Sequence, residues 1–252
     1  MEKVLVGCPT SDHKEYCINE YAQAVKSLTY KNYDVLLVDN SEKEDYSKKV
    51  KSLGLTVIKD KFQEHARDRI ISSRNILREY VLKNNYDYLL SLEQDVIPHK
   101  DVIETLLSHN LKIVSGVVCH MRAGKLRPML WTLMNEEDYK FIKSNPENFP
   151  KTIEELKRSN EDYKKIIKQL QLEDVEEPRL LSNLLICSLS CVLIHRSVLE
   201  KVKFRYTIGE EAYDDVWFCR DARDSGFKMY CDASVKCKHL IKQHQDWSKI
   251  NK

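Results

Sequence analysis

The chain contains little glycine and little proline, with six of each among 252 residues. Collagen-like and low-complexity disordered classes are therefore excluded. It contains neither a G-x-G-x-x-G nor a G-x-x-x-x-G-K-[ST] loop, which argues against a dinucleotide dehydrogenase and a P-loop NTPase. Because 42% of the residues are hydrophobic, the sequence is typical of a globular protein with one large core.

The chain also lacks an excess of charge of either sign. Lysine and arginine number 41 against 39 aspartates and glutamates, for a net charge of +2. Such a balance creates no global field that would attract nucleic acid, so no nucleic-acid partner is expected. Five lysines near the C-terminus form a mildly basic face, which is solvated by default and could also meet a diphosphate or an anionic membrane surface. They are Lys236, Lys238, Lys242, Lys249 and Lys252.

No apolar run reaches the roughly 18 to 20 residues that a membrane span requires, and the N-terminal segment has no signal-peptide apolar region. We therefore expect a cytoplasmic protein. The eight cysteines are scattered and form no C-x-x-C pair. This distribution favours reduced, buried thiols over the alternatives of a disulfide framework or a zinc knuckle.

Short apolar runs alternate with segments of helical periodicity through the first half of the chain. Residues 33–38, 88–92 and 113–118 are predicted buried strands, and residues 63–84 show the spacing of a helix that leads into the second of them. Repeated βαβ units of this kind imply a Rossmann-like, mainly parallel sheet with helices on both faces. The fold class is therefore α/β.

The pattern changes at about residue 135. Residues 136–179 carry dense charge of mixed sign, and Thr152 to Glu155 has the form of a capping box that would open an amphipathic helix continuing to Leu170. We interpret this segment as a helical insertion lying across the open edge of the sheet. The alternative is a solvated helical spacer.

Acidic residues follow the predicted strands at the positions where open α/β sheets bind ligands. Glu93 and Asp95 flank Gln94 directly after a buried strand, an arrangement that lets one carboxylate reach a ribose or sugar hydroxyl while the other binds a hard divalent cation. His239 ends the last strand-like stretch. A neutral imidazole is a suitable partner for an aspartate on Mn²⁺, which accepts mixed nitrogen and oxygen ligands.

The order of these motifs resembles the family 2-type glycosyltransferases of the GT-A fold, over about residues 3 to 131 and 183 to 240. The resemblance rests on four elements in sequence. They are Pro9-Thr10 after the first strand, Val38-Asp39-Asn40 after the second, Arg74-Asn75 in the helix before YLLSLEQDVIP, and the late stretch DDVWFCRDARDSGFKMYCDASVKCKHL.

The resemblance implies a role for each matching residue. Glu93 and Asp95 fall on the acid-x-acid motif that binds the diphosphate of a nucleotide sugar through Mn²⁺ or Mg²⁺, and His239 would complete the metal site. Asp215, preceded by Asp214, falls on the catalytic base of inverting members. The positions that match the nucleotide pocket are Pro9, Thr10 and Asp39, and the cations expected to assist the leaving diphosphate are Arg74 and Lys242.

Two departures from the family pattern affect these expectations. Glu93 is one methylene longer than the usual aspartate, and Asp214 stands where a glutamate is usual. Residues 136–179 have no counterpart at the place where the family builds its acceptor site. The expected organisation is a nucleotide-sugar-binding half at 1–131, an acceptor-side helical subdomain at 132–180, a catalytic half at 181–240 and a polar tail at 241–252.

The sequence thus predicts a metal-dependent, inverting glycosyltransferase that moves a sugar from a nucleotide-diphosphate donor to a hydroxyl of a glycan, lipid or other acceptor. An alternative is a non-catalytic carbohydrate- or nucleotide-binding module with the same architecture. A nucleotidyltransferase would also use paired acids and a metal. It would require a glycine-rich, basic phosphate loop near the N-terminus, which VGCPTSDHKEY does not supply.

Overall fold

A computed structural model describes residues 1–122, 124–148, 150–158, 163–210 and 212–241. Lys242, Lys249, Lys252 and the rest of the predicted tail beyond residue 241 lie outside the described residues. The chain alternates strands and helices through its first 120 residues, as the βαβ pattern predicts.

Within these ranges the strands are distributed along the whole chain. They are β1 (Val4–Thr10), β2 (Tyr33–Asp39), β3 (Thr56–Lys59), β4 (Tyr88–Leu92), β5 (Val96–Ile97), β6 (Ile113–Val117), β7 (Cys119–Arg122), β8 (Lys125–Pro128), β9 (Leu130–Leu133), β10 (Ile167–Gln169), β11 (Leu180–Cys187), β12 (Cys191–His195), β13 (Met229–Lys236) and β14 (Lys238–His239).

The α-helices connect these strands, and a short 3₁₀ segment (Asp12–Cys17) follows β1. The α-helices are α1 (Ile18–Lys26), α2 (Asp45–Ser52), α3 (Ala66–Lys83), α4 (Val102–Ser108), α5 (Glu136–Ser144), α6 (Pro150–Arg158), α7 (Arg196–Lys201) and α8 (Asp214–Asp224).

In the described part of the chain, one ten-stranded sheet has the order β10-β9-β11-β13-β6-β12-β4-β1-β2-β3. Strands β3, β2, β1 and β4 are parallel to one another, and β12 runs antiparallel to both of its neighbours, β4 and β6. Strands β6 and β13 are parallel, whereas β9, β10 and β11 form antiparallel pairs. Seven of the ten strands consequently point in one direction, and only β10, β11 and β12 oppose them.

Both faces of the sheet are covered, as the prediction of helices on both faces requires. Strand β4 is buried along its whole length, and its side chains alternate between the two major core clusters. Leu89 packs with Leu5 and Leu77 of α3, whereas Leu90 packs with Val6 and other residues on the opposite face. A strand enclosed in this way reads as a continuous apolar run, which is why β4 is evident in the sequence.

The segment 136–179 contains helices, but they are shorter than the sequence predicts. Helix α6 ends at Arg158, and residues 167–169 form β10, antiparallel to β9, so the prediction of a helix reaching Leu170 is wrong. Pairing with β9 at the sheet edge satisfies the backbone hydrogen-bonding groups of residues 167–169, while the side chains of Ile166 and Leu170 remain buried. The capping box of the segment is at Asn135 and Asp138, which exchange hydrogen bonds at the start of α5.

All eight cysteines are buried and none forms a disulfide. This state agrees with the prediction of reduced thiols acting as small apolar side chains. None of the helices within the described ranges is both long and apolar enough to cross a membrane.

Candidate active site

The parallel strands bring several polar residues to one edge of the sheet. In the register of β1 and β2, Pro9 is opposite Val38 and Thr10 is opposite Asp39. Strand β4 pairs with the other side of β1 and continues directly into Glu93. The carboxyl ends of these strands therefore meet, which is where ligands bind in open α/β sheets.

Asp39 is fully buried at this edge, and both of its carboxylate oxygens are engaged. Oδ1 accepts a hydrogen bond from the backbone N–H of Ser41 at 2.8 Å, and Oδ2 accepts one from Ser47 Oγ at 2.5 Å. The Lys59 ammonium lies 3.9 Å from Oδ2. Asp39 thus holds the turn after β2 to the start of α2 and to the end of β3.

Gln94, between the two acids, organises the loop after β1. Its side chain is completely buried, and its Oε1 accepts hydrogen bonds from Thr10 Oγ1 and, at 2.8 Å, from the Tyr46 hydroxyl. Its Nε2 donates to the backbone carbonyl of Lys14. Because Gln94 is directed into the protein, it joins the ends of β1 and β4 and anchors the backbone of the 3₁₀ segment beside the acids.

Asp95 lies between the side chains of Lys14 and His239, which come from distant parts of the chain. Its Oδ1 is 2.9 Å from Lys14 Nζ, and its Oδ2 is 3.5 Å from His239 Nε2. Strand β14 pairs antiparallel with β5 and places His239 opposite Val96, directly after Asp95 in the chain. The other ring nitrogen of His239, Nδ1, donates to the carbonyl of Cys119 at 2.7 Å.

The charges in this group shift each other's protonation. Burial alone would raise the pKa of Asp95, but the contacts with His239 and Lys14 outweigh it and lower the pKa to about 2. Burial alone would lower the pKa of His239, yet the adjacent Asp95 raises it. Asp95 is therefore an anion at neutral pH, as a metal ligand must be.

Glu93 and Asp214 are joined by the guanidinium group of Arg74. Arg74 lies on α3, is only 3% exposed, and donates from its NH2 group to Glu93 Oε1 at 2.7 Å. Its Nε lies 2.5 Å from Asp214 Oδ2, and its NH1 group donates to Ser91 Oγ at 2.8 Å. These contacts involve all three nitrogens of the guanidinium, so Arg74 links the end of β4 to the first turn of α8.

Asp215 follows Asp214 in the first turn of α8, where the helix dipole favours negative charge. Its Oδ1 accepts from the backbone N–H of Val216 at 2.8 Å. Burial and, next, the charge of Asp214 raise the pKa of Asp215 to about 6, against the opposing effects of Val216 and Arg74. A carboxylate with a pKa raised towards neutrality has the property required of a general base.

These contacts form one continuous line of alternating charge, which we call the ion-pair chain. It is defined by His239, Asp95, Lys14, Glu93, Arg74 and Asp214, in that order. The ion-pair chain connects β14, the end of β4, the 3₁₀ segment, α3 and α8. Its members Lys14 and His239 are 225 positions apart in the sequence. Paired in this way, the buried charges avoid the cost of isolated ions.

The residues at Asp95 fit a divalent cation as a partial set of ligands. Hydrogen bonding of Nδ1 to Cys119 leaves the neutral form of His239 with its lone pair on Nε2, the usual arrangement of a metal-bound histidine. Two neighbouring ligands of an octahedral ion at about 2.1 Å lie roughly 3.0 Å apart, so the Nε2–Oδ2 separation of 3.5 Å would have to shorten slightly on binding. Among the residues that the structure describes, no group of three His, Cys, Asp or Glu side chains could hold a metal by itself. A bound substrate would have to supply the remaining ligands.

Several residues of this site were not found by sequence reasoning. Lys14 and Tyr46 belong to no recognisable motif, and Gln94 is the unspecified middle residue of the acid-x-acid motif, yet all three are central to the site. The signal for Lys14 is its place in the loop that follows β1, at the same sheet edge as the acids. The signal for Gln94 is its position between two acids directly after a buried strand. A polar side chain that is buried at such a position needs hydrogen-bond partners inside the protein.

Comparisons with known proteins support the fold. No protein-family model matches the chain, and no curated protein sequence matches it significantly. Among solved structures, A197 from STIV is similar with a TM-score of 0.50 and 14% identity, over 99% of this chain and 92% of that chain. Mannosyltransferase PcManGT from Pyrobaculum calidifontis, in complex with GDP-Man and Mn²⁺, is similar with a TM-score of 0.59 and 12% identity, over 98% of this chain and 59% of that chain.

At these identities the likeness concerns the fold alone. The chain has a GT-A-like, Rossmann-type α/β fold, with a large central sheet of mixed strand direction between layers of helices. The predicted fold class is confirmed.

Proposed function

We propose that this protein is a glycosyltransferase that uses a nucleotide-diphosphate sugar and a divalent cation, Mn²⁺ or Mg²⁺. The observation that carries the proposal is the meeting of Asp95 and His239 at the carboxyl edge of a GT-A-like sheet, with Asp214, the residue before Asp215, joined to them through the ion-pair chain. The likeness to a mannosyltransferase in complex with GDP-Man and Mn²⁺ supports the same class of donor.

Asp95 and His239 would hold the cation, and the donor diphosphate would complete its ligands. When bound, the cation neutralises the negative charge that develops on the leaving diphosphate. Asp95 suits this task because it is ionised at neutral pH, and His239 because Cys119 fixes the orientation of its ring. Pro9 and Thr10, at the end of β1, would line the nucleotide pocket.

Asp39 contributes to that pocket in a different way. Since its two oxygens already bind Ser41 and Ser47, it shapes the turn after β2 from within. Arg74 likewise acts from the protein interior, because it is committed to Glu93, Ser91 and Asp214.

Asp215 would act as the general base of an inverting transfer. The acceptor hydroxyl loses its proton to the Asp215 carboxylate while its oxygen attacks the anomeric carbon, and the bond from that carbon to the diphosphate oxygen breaks. The pKa of about 6 leaves Asp215 ionised at neutral pH and still able to accept a proton in the transition state. The acceptor would be a glycan, a lipid or another compound with a free hydroxyl.

A panel of nucleotide sugars tests the proposal, with GDP-mannose first and UDP- and dTDP-linked sugars beside it. Each is incubated with the protein with and without Mn²⁺, and release of the nucleoside diphosphate and the unfolding temperature are measured. We expect one donor to raise the unfolding temperature in the presence of Mn²⁺ and to be turned over, and the Asp95→Asn variant to lose both effects. Donor binding without any turnover across a panel of acceptors would favour the non-catalytic module instead.

A further inference from the structure

Lys14 occupies the space between the two acids of the acid-x-acid motif. Its Nζ lies 2.9 Å from Asp95 Oδ1 and 3.5 Å from Glu93 Oε2. Its ammonium group therefore places a positive charge against the carboxylate that is best placed to bind a divalent cation. No role in nucleotide-sugar chemistry that the sequence predicts includes this residue.

The backbone of Lys14 is fixed, whereas its side chain is not enclosed. Its carbonyl accepts hydrogen bonds from Gln94 Nε2 and, at 3.1 Å, from Cys17 Sγ. The side chain of Lys14 is 34% exposed, compared with 9% for that of Asp95. The four-carbon stem can thus carry the ammonium away from Asp95 into solvent, or towards a bound anion, without moving the backbone.

Among the described residues, Glu93 has a second, permanently charged cation and Asp95 does not. The guanidinium of Arg74 remains on Glu93 when Lys14 leaves, whereas the partner that Asp95 then retains in the described part of the chain is His239, which has to be neutral to bind a metal. Departure of Lys14 would therefore leave an anion in need of a cation at Asp95. A divalent ion is the natural replacement.

We propose that Lys14 is an intrinsic cation that competes with the divalent metal for Asp95 and leaves it when the metal and the donor diphosphate bind together. This inference rests on the proposed function. In the absence of nucleotide, Lys14 weakens metal binding by occupying Asp95 Oδ1 and by electrostatic repulsion. A donor diphosphate removes this obstacle because its negative charge attracts both the metal and the ammonium.

Titration with Mn²⁺ alone, followed by electron paramagnetic resonance of the free ion, tests the proposal without any nucleotide sugar. We expect Lys14→Gln to bind Mn²⁺ at least about fivefold more tightly than the wild type, because two unit charges about 4 Å apart already have an effect of this size in water and Mn²⁺ carries two charges. Lys14→Arg, which retains the charge, should bind Mn²⁺ about as weakly as the wild type. Lys48→Gln is the matched control, because Lys48 is exposed and pairs with Asp45.

A double variant, Lys14→Gln with Asp95→Asn, shows where the additional affinity arises. We expect the gain to disappear in it, and thermal unfolding of every variant establishes that each is folded. Mn²⁺ binding by Lys14→Gln that is no tighter than that of the wild type would overturn the proposal, and so would a gain that persists without Asp95. A failure to turn over any nucleotide sugar would instead contradict the proposed function, since the Mn²⁺ titration does not depend on it.

Discussion

Two regions of the molecule differ in how far their ion pairs are exposed to solvent. Where β1, β2 and β4 end, buried and half-buried ionised side chains are joined into the ion-pair chain, and Arg74 within it is 3% exposed. In the region that includes α5 and α6, the ion pairs within a single helix lie in solvent. Arg158 and Glu154 form one of these pairs, with side chains 74% and 62% exposed.

The apolar side chains differ between the same two regions. All five residues of β4 are buried, whereas β10 has an exposed first residue, Ile167, and two half-buried ones. Burial of charge next to such a densely enclosed strand costs free energy unless every ion is paired. The comparison teaches that charges in the first region are held in a paired arrangement inside the protein, whereas the helical ion pairs of the second are exposed to water.

The largest expected effect is on catalysis, in the region that contains the ion-pair chain. Asp215→Asn should lower the rate of sugar transfer by about 10² to 10⁴, because general-base assistance is typically worth that much. Donor affinity should change little, since the hydrogen bond of Asp215 is to the backbone of Val216 and not to Asp95 or His239. Single-turnover kinetics measures the first quantity and calorimetric titration with donor and Mn²⁺ the second. Equal transfer rates in the two proteins would remove the proposed role.

The stability of the two kinds of ion pair should differ strongly. Arg74→Gln leaves Glu93 and Asp214 without their buried partner, and we expect the free energy of unfolding to fall by about 3 to 5 kcal/mol. Arg158→Gln removes an exposed pair between residues four apart on a helix, and we expect a loss of no more than about 0.5 kcal/mol. Urea denaturation followed by circular dichroism measures both. Similar losses in the two variants would contradict the contrast between the regions.

Truncation of one apolar side chain in each region tests the packing half of the comparison. Leu90→Ala should cost about 2 to 5 kcal/mol of unfolding free energy, because Leu90 is fully buried in β4. Ile167→Ala, at a residue that is 48% exposed in β10, should cost less than about 0.5 kcal/mol. The same urea denaturation measures the two variants, and a large loss at Ile167 would show that the β10 edge is packed against something further.

The last expected effect is a pH dependence of stability. The pKa of Asp215, about 6, is higher in the folded protein than the ordinary value near 3.8, so the folded state binds more protons than the unfolded state between these two pH values. This contribution therefore lowers stability as the pH rises from about 4 to about 6. A rise of about two pKa units is worth up to about 3 kcal/mol, so at pH 8 we expect Asp215→Asn to unfold at a temperature up to about 6 to 12 °C above the wild type.

Measurements at lower pH provide the check on this sign. The difference between Asp215→Asn and the wild type should shrink as the pH falls below 6, because wild-type Asp215 is then protonated and neutral in the folded state. Differential scanning calorimetry at pH 8, 6 and 4.5 follows it. A difference that stays constant over this range would show that burial does not raise the pKa of Asp215.

Sequence reasoning succeeded where a local pattern had only one structural solution. The run Tyr88 to Leu92 is continuously apolar because it is enclosed on both faces, and a strand so enclosed leads directly to the sheet edge where Glu93 and Asp95 lie. The capping box predicted at Thr152 did not begin a helix there, since α6 already starts at Pro150. Helical spacing near Leu170 was equally misleading, because pairing with β9 overrides local propensity.

The sequence by itself determined the α/β class, the buried strands and the placing of acids after them, since these follow from periodicity within a few neighbouring residues. Only the tertiary structure decided that Arg74 binds Glu93 and Asp214, that His239 reaches Asp95, and that Lys14 lies between the two acids. Contacts between residues scores of positions apart depend on strand order and helix packing. Linear spacing carries no record of either.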